Sequence, residues 1–287
     1  MGTTVSLLAP AKVNLTLDIK GPRPDGYHEL ETIMHQVNLV DTVHLRRLTD
    51  GIEVSTDSPL VPGDSDNLAY RAAVEFFQAT GIAGGVDIHI EKHIPVGAGL
   101  AGGSTDAAAV IKGLNRLYAA GLDIKDQMAL GARIGSDIPF CILGGTALAR
   151  GRGEILTPLS PARNLLMVLA KPGYSVSTRE VYARYDQGKV TRRPDTGGVE
   201  AALASGNLAG ACAGMENVLE TVTLECCPEV ALLKQMMTDL GAVKALMSGS
   251  GPTVFGIFLQ REVAEAACAI INRYYEEVFI VTSFERG

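Results

Sequence analysis

The chain has 287 residues, of which 47% are hydrophobic and 20% charged, and its formal net charge is −7. That length holds one large domain or two modest ones, and the acidic balance argues against a nucleic-acid partner, which usually needs a concentrated basic face. No apolar stretch approaches the ~20 residues of a membrane span, and Cys141, Cys212, Cys226, Cys227 and Cys268, none in a CxxC pair, argue against a disulfide scaffold or zinc ribbon and suit reduced thiols in a cytosol. The opening residues have no basic region and no cleavage site, so no signal peptide is read there. Gly2 and Ser6 match a myristoylation pattern, but the apolar residues soon after look like a core strand.

Along the chain, Val13, Leu15, Leu17 and Ile19 alternate with Lys12, Asn14, Thr16 and Asp18, which predicts a half-buried strand. Pro24-Asp25-Gly26 supplies turn chemistry, and a strand region over 29–48 completes a hairpin with Tyr27 and His28 at its tip. A strand is predicted over 86–94, with Val86, Ile88 and Ile90 on its apolar face. A glycine-rich segment then runs into a helix through Ala107, Val110, Ile111, Leu114 and Leu117. A short helix over 123–135, a loop at Ser136-Asp137-Ile138-Pro139 and a strand over 146–150 follow. Glycine and proline rise between 151 and 164, and the chain is divided there into 1–155 and 156–287. The second part reads as a strand at 165–170, short helices over 175–240 and a strand–turn–strand over 243–259. A helix over 262–275 and a strand over 278–284 close it. Strands and helices mix without regular βαβ alternation, so the fold class is α+β.

The segment Gly97-Ala98-Gly99-Leu100-Ala101-Gly102 fits GxGxxG, but neither familiar reading of that pattern survives its context. Asp123 stands at the distance of a ribose-binding acid, yet it opens a helix instead of ending a strand. A Walker loop would need a lysine where Gly103, Ser104 and Thr105 stand. What remains is a run of unobstructed backbone amides entering a helix N-terminus, an arrangement suited to phosphate. Ser104 and Thr105 can add hydroxyls to a phosphate or to Mg²⁺. The bland alternative is a tight turn with a serine cap. A second cluster, Met247-Ser248-Gly249-Ser250-Gly251-Pro252, lies between two strands and suggests another phosphate-facing turn.

Pro10-Ala11-Lys12-Val13-Asn14-Leu15, Gly26-Tyr27-His28-Glu29-Leu30, Gly135-Ser136-Asp137-Ile138-Pro139-Phe140 and the two glycine clusters together resemble the GHMP kinases. Within them the resemblance is to members of the non-mevalonate isoprenoid pathway. It implies an N-terminal domain like ribosomal protein S5 domain 2 and a C-terminal ferredoxin-like domain. It also implies transfer of the ATP γ-phosphate to the 2-hydroxyl of a small molecule, cytidine diphosphate methylerythritol, with Mg²⁺. Mevalonate or homoserine phosphorylation, or a catalytically silent nucleotide-binding protein, are the alternatives.

The site residues implied are Asp137 and Lys12 for catalysis, the first to take the hydroxyl proton and the second to stabilise the transferring phosphoryl group. Pro95, Val96, Gly97, Ala98, Gly99, Leu100, Ala101, Gly102, Gly103, Ser104 and Thr105 would hold the phosphates, with Asn67 and Lys92 near the adenine. Asn14 is a candidate substrate ligand, Tyr27 and Tyr182 would sandwich the cytosine, and His28 would contact the base edge. No acid in these motifs has the look of a metal ligand. His89 and His93, at i, i+4 with Asp87 and Glu91 between and beside them, read as a solvated strand face rather than a zinc pair.

Overall fold

The computed structural model describes residues 3–162, 165–185 and 187–285, so Gly2 lies outside the described residues. The chain divides into two compact units that interleave in sequence rather than meeting at one boundary near residue 155. The first comprises 1–11, 39–96 and 101–144, and the second 12–38, 97–100 and 145–287. Two long strands, β1 (Thr4–Pro22) and β2 (His28–Leu48), contribute to both units.

The first unit continues with β3 (Ile52–Thr56), α1 (Leu68–Thr80), β4 (Gly85–Glu91), α2 (Gly102–Leu117), α3 (Ile124–Ile134) and α4 (Ile138–Leu143). β4 pairs antiparallel with the end of β2, from Thr42↔Glu91 to Leu48↔Gly85, and parallel with β3 across the α1 crossover. Asn67 caps α1 by accepting from the Ala69 N–H, and Gly81 ends it at φ 66°. Asp123 and Asp126 form a reciprocal capping box at the start of α3. α2 lies close against the sheet because Gly113 has no side chain: a Cβ there would meet Leu45 Cδ1 at 2.3 Å and Leu7 Cδ1 at 2.8 Å.

The second unit adds β5 (Thr146–Gly151), β6 (Ile155–Pro158), β7 (Leu166–Lys171), α5 (Thr178–Arg184), α6 (Thr196–Ala204), α7 (Leu208–Gly214), α8 (Glu220–Cys226) and α9 (Pro228–Asp239). β8 (Lys244–Met247), β9 (Val254–Phe258), α10 (Arg261–Ile271) and β10 (Glu277–Val281) complete it. β5 pairs with the start of β2 and with β6. The other four strands form an antiparallel sheet in the order β10-β7-β9-β8, the strand order of a ferredoxin-like βαββαβ unit. Its core gathers Val168, Ala170, Leu233, Met237, Phe258, Ala264 and Ile271 with Leu17 and Ile19 of β1.

Several expectations change here. The β1 face carrying Lys12, Asn14, Thr16 and Asp18 is buried like its apolar face, so the strand is not half-buried. The strand expected to reach residue 94 ends at Glu91, which leaves His93 beyond it and off the face of His89. The His93 and Ile94 N–H groups instead donate to Asp41 Oδ1 at 2.6 and 2.8 Å. Asp137 stands at the N-cap position of a short helix, not in a plain loop, because Pro139 suits a first helical turn. Within the stretch read as a glycine and proline boundary, Ile155–Pro158 forms β6, with Pro158 on an edge where no ladder donor is needed. Among the described residues no helix is long and apolar enough to cross a membrane, and the five cysteines are free thiols.

Candidate active site

In the second unit the site is built from the buried polar face of β1. Lys12 is 4% exposed, and its ammonium donates to Asn14 Oδ1 at 2.7 Å. Asn14 Nδ2 donates to Thr32 Oγ1 at 2.8 Å, and that hydroxyl donates in turn to the Thr16 carbonyl. The chain of donors leaves one consistent orientation for the Asn14 amide and holds the ammonium beside it.

Lys12 also stands beside two glycine turns. Its backbone N–H donates to the Leu100 carbonyl at 3.1 Å, and its Nζ lies 3.6 Å from the point where a Gly249 Cβ would be. Gly97 and Gly99 have φ of 65° and 73°, and a Cβ on Gly97 would meet Ser175 Oγ at 2.7 Å. Only glycine fits both the backbone angle and the space. The two turns are joined where Ser248 Oγ donates to the Gly99 carbonyl at 3.1 Å and receives the Asn14 N–H at 3.4 Å. Asn217 clamps the second turn, donating to the Met247 and Gly249 carbonyls at 2.8 Å each, while its Oδ1 accepts from the Leu219 N–H. Asn217 was missed in the sequence. The signal available was an amide set directly before the apolar pair Val218-Leu219.

At the tip of the β1–β2 hairpin Tyr27 is 56% exposed, and the Arg152 guanidinium sits 4.9 Å from its ring centre. Tyr182 falls on α5 as expected, and the ring it meets is His28, at 5.6 Å and a 38° tilt. His28 also packs edge-on to Tyr185.

In the first unit, Ala101 takes a left-handed φ of 59° and begins α2 without a side-chain cap. Alanine has no acceptor for the first-turn N–H groups of Gly102, Gly103 and Ser104, which leaves the positive end of a 16-residue helix without a side-chain cap. Gly102 itself is helical, and the positive backbone angle at the helix entrance belongs to Ala101. Thr105 is buried and Ser104 half-buried.

Lys92 is buried, with its Nζ at 2.5 Å from Asp41 Oδ2 and 2.7 Å from Asp106 Oδ2. Burial works against its charge, but the two carboxylates outweigh it and hold the ammonium above its usual range. Burial pushes the Asp106 carboxyl up, with the Asp41 charge in support and Lys92 opposing. Asn67 spends both ends of its amide on α1 and the Pro62 carbonyl. Asp137, half-buried, makes no capping bond with its side chain, and its carbonyl accepts from the Cys141 N–H.

This chain matches two family models. The one described as the GHMP kinases N terminal domain covers residues 67–145, and the GHMP kinases C terminal one covers 199–277. The chain belongs to the GHMP kinases. A relative from Syntrophomonas wolfei subsp. wolfei, named 4-diphosphocytidyl-2-C-methyl-D-erythritol kinase, is 48% identical over 99% of this chain and 100% of its own. One of the same name from Alkaliphilus metalliredigens is 47% identical over 98% and 97%. A crystal structure of 4-(cytidine 5'-diphospho)-2C-methyl-D-erythritol kinase superposes with a TM-score of 0.84 at 36% identity, over 98% of this chain and all of that one. Homoserine kinase from Cytophaga hutchinsonii shares the fold at a TM-score of 0.79 and 20% identity, covering 99% of this chain and 96% of that one. As a GHMP kinase, the chain is an ATP-dependent enzyme acting on an alcohol, with the α+β architecture read from its motifs.

Proposed function

We propose that this GHMP kinase transfers the γ-phosphoryl group of ATP to the 2-hydroxyl of 4-diphosphocytidyl-2-C-methyl-D-erythritol, a step of non-mevalonate isoprenoid synthesis in the cytoplasm. The observation that carries the chemistry is Lys12, buried, paired with Asn14 and set beside two glycine turns. The near full-length likeness to kinases of that name supports the acceptor.

In the reaction the acceptor oxygen bonds to γ-phosphorus while the bond from γ-phosphorus to the bridging oxygen breaks, and ADP departs with that electron pair. Charge spreads over the three equatorial oxygens, where the Lys12 ammonium would stabilise it. Asp137 would accept the hydroxyl proton. The turns at Gly97–Leu100 and the first turn of α2 offer backbone N–H groups to the phosphates, and Ser104 a hydroxyl. Asn67 and Lys92 would border the adenine as a fixed wall, since both side chains are already engaged. Mg²⁺ would screen the phosphate charge. Phosphate oxygens, water and the Ser104 hydroxyl would be its ligands. Asn14 would fix the acceptor. Tyr27, His28 and Tyr182 would hold its cytosine.

A coupled assay of ADP release tests this with the cytidylyl acceptor against mevalonate, homoserine and galactose. Turnover confined to the first is expected, and preference for any other would overturn the assignment.

A further inference from the structure

The hairpin tip that carries Tyr27 is joined to the neighbouring β5–β6 turn by a hydrogen bond and a cation–ring contact. Within the tip, the Arg23 N–H donates to the Tyr27 carbonyl at 2.7 Å and the Tyr27 N–H to Asp25 Oδ1 at 3.1 Å. Glu29 joins the two turns: Oε2 receives the Arg23 guanidinium at 2.5 Å and Oε1 the Gly151 N–H at 2.9 Å. The turn beyond is tight as well. Gly151 has φ 72°, and a Cβ on it would come within 3.0 Å of the Glu154 carboxylate. That carboxylate accepts the Arg152 N–H at 2.6 Å and lies 4.0 Å from the Arg152 guanidinium. Arg152 is therefore bonded at its backbone, and its guanidinium, near the Glu154 carboxylate, lies over the ring of Tyr27.

We propose that Arg152 is a positioning residue for the acceptor, holding one face of Tyr27 so that the other is presented, already ordered, to the cytosine. This rests on the function proposed above. A guanidinium over an aromatic face is attracted by the ring quadrupole, and Tyr27, 56% exposed, keeps a free surface on which a base can stack. An untethered exposed ring would lose rotamer freedom on binding. The tether moves that loss into folding and so strengthens binding. Arg23 cannot take over this part, because Asp25 and Glu29 hold its guanidinium. Arg152 acts through the ring and touches no reacting atom.

The test is a set of kinetics on the full chain: wild type, Arg152→Ala, Arg152→Lys, Tyr27→Ala and the double variant, with acceptor varied at saturating ATP and the reverse. Arg152→Ala should raise the acceptor KM about 2- to 30-fold, the range of a cation–π contact, while kcat and the KM for ATP stay within about twofold. Arg152→Lys should recover part of the loss, since an ammonium keeps the charge but not the planar stack. In the Tyr27→Ala background the Arg152→Ala change should have no further effect, because there is no ring left to position. The same loss in both backgrounds, an unchanged acceptor KM in Arg152→Ala, or parallel losses for acceptor and ATP with a lowered unfolding midpoint would each overturn the proposal. Absence of wild-type turnover on the cytidylyl acceptor would instead refute the function, and it would be seen before any variant is made.

Discussion

Gly99→Ala offers the sharpest test of the two joined glycine turns. Gly99 has φ 73°, and an added Cβ would lie 2.4 Å from the Ser248 carbonyl oxygen and 3.1 Å from that of Gly251. Gly121 has the same φ of 73° but nothing within 4 Å of its Cβ position. A left-handed alanine costs about 1–2 kcal/mol at either site. At Gly99 the backbone must also part, which strains the Ser248 bonds to Gly99 and Asn14, worth about 1 kcal/mol each. Gly99→Ala should therefore destabilise by about 3–4 kcal/mol against about 1–2 for Gly121→Ala, read from urea midpoints at a shared slope. The KM for ATP should rise only in the first, because the displaced turn is the one bonded to the Lys12 N–H. Equal midpoint shifts would show that the close approach to Ser248 does not hold in solution. A normal KM for ATP in a destabilised Gly99→Ala would detach this turn from the nucleotide.

Asp137→Asn keeps size and removes charge, so kcat should fall about 10²- to 10⁴-fold with little change in ATP affinity; near-normal turnover would remove the carboxylate from the mechanism. Tyr27→Ala should weaken the cytidylyl acceptor about 5- to 150-fold through lost stacking and leave ATP alone, and equal loss of both ligands would point to misfolding. His35, buried against Thr146 and Ser283, has its pKa lowered to about 4 by burial. Folding thus favours its neutral form: the stability is present above the unfolded value near 6.5 and about 3 kcal/mol is lost as pH falls toward 4. Urea midpoints of His35→Gln should fall less steeply over that range, and parallel curves for variant and wild type would sink the assignment.

The elements legible in the sequence were those whose pattern is local. The opening of α3 at Asp123, the apolar stripe of α2 and the Pro24-Asp25-Gly26 turn each announce themselves within a few residues. α1 carried such signals too, Asn67 before it and Gly81 after, and was overlooked because no motif drew attention to 52–80. β6 was hidden for another reason: four residues beside glycine turns make an edge strand only because Arg150 to Ala147 stand ready to pair with them. The family and both glycine clusters were legible because glycine at a positive φ has few substitutes. Their supports were not. Asn217 and Ser248 act on carbonyls that are adjacent only after folding, and the pairing of Arg152 with Tyr27 spans 125 positions.

Polar residues in alternation face water on β4 but not on β1. On β1 the face of Lys12, Asn14, Thr16 and Asp18 is as buried as the other. Burying polar groups is costly unless each finds a partner. Here Asn14 and Thr32 complete the chain from Lys12, and Arg193 and Lys20 meet Asp18. The same logic governs Lys92 in the first unit, which joins Asp41 and Asp106 from separate elements. A buried ion cluster adds little net stability, since desolvation offsets attraction, but removing one member leaves uncompensated charge. Such clusters therefore select one arrangement more than they deepen it. That suits a kinase, whose catalysis of phosphoryl transfer is almost wholly a matter of placing charge and donors before the reaction begins. The burial of β1's polar face is thus better explained by positioning than by stability: Lys12 is held by Asn14, whose amide is itself fixed by Thr32.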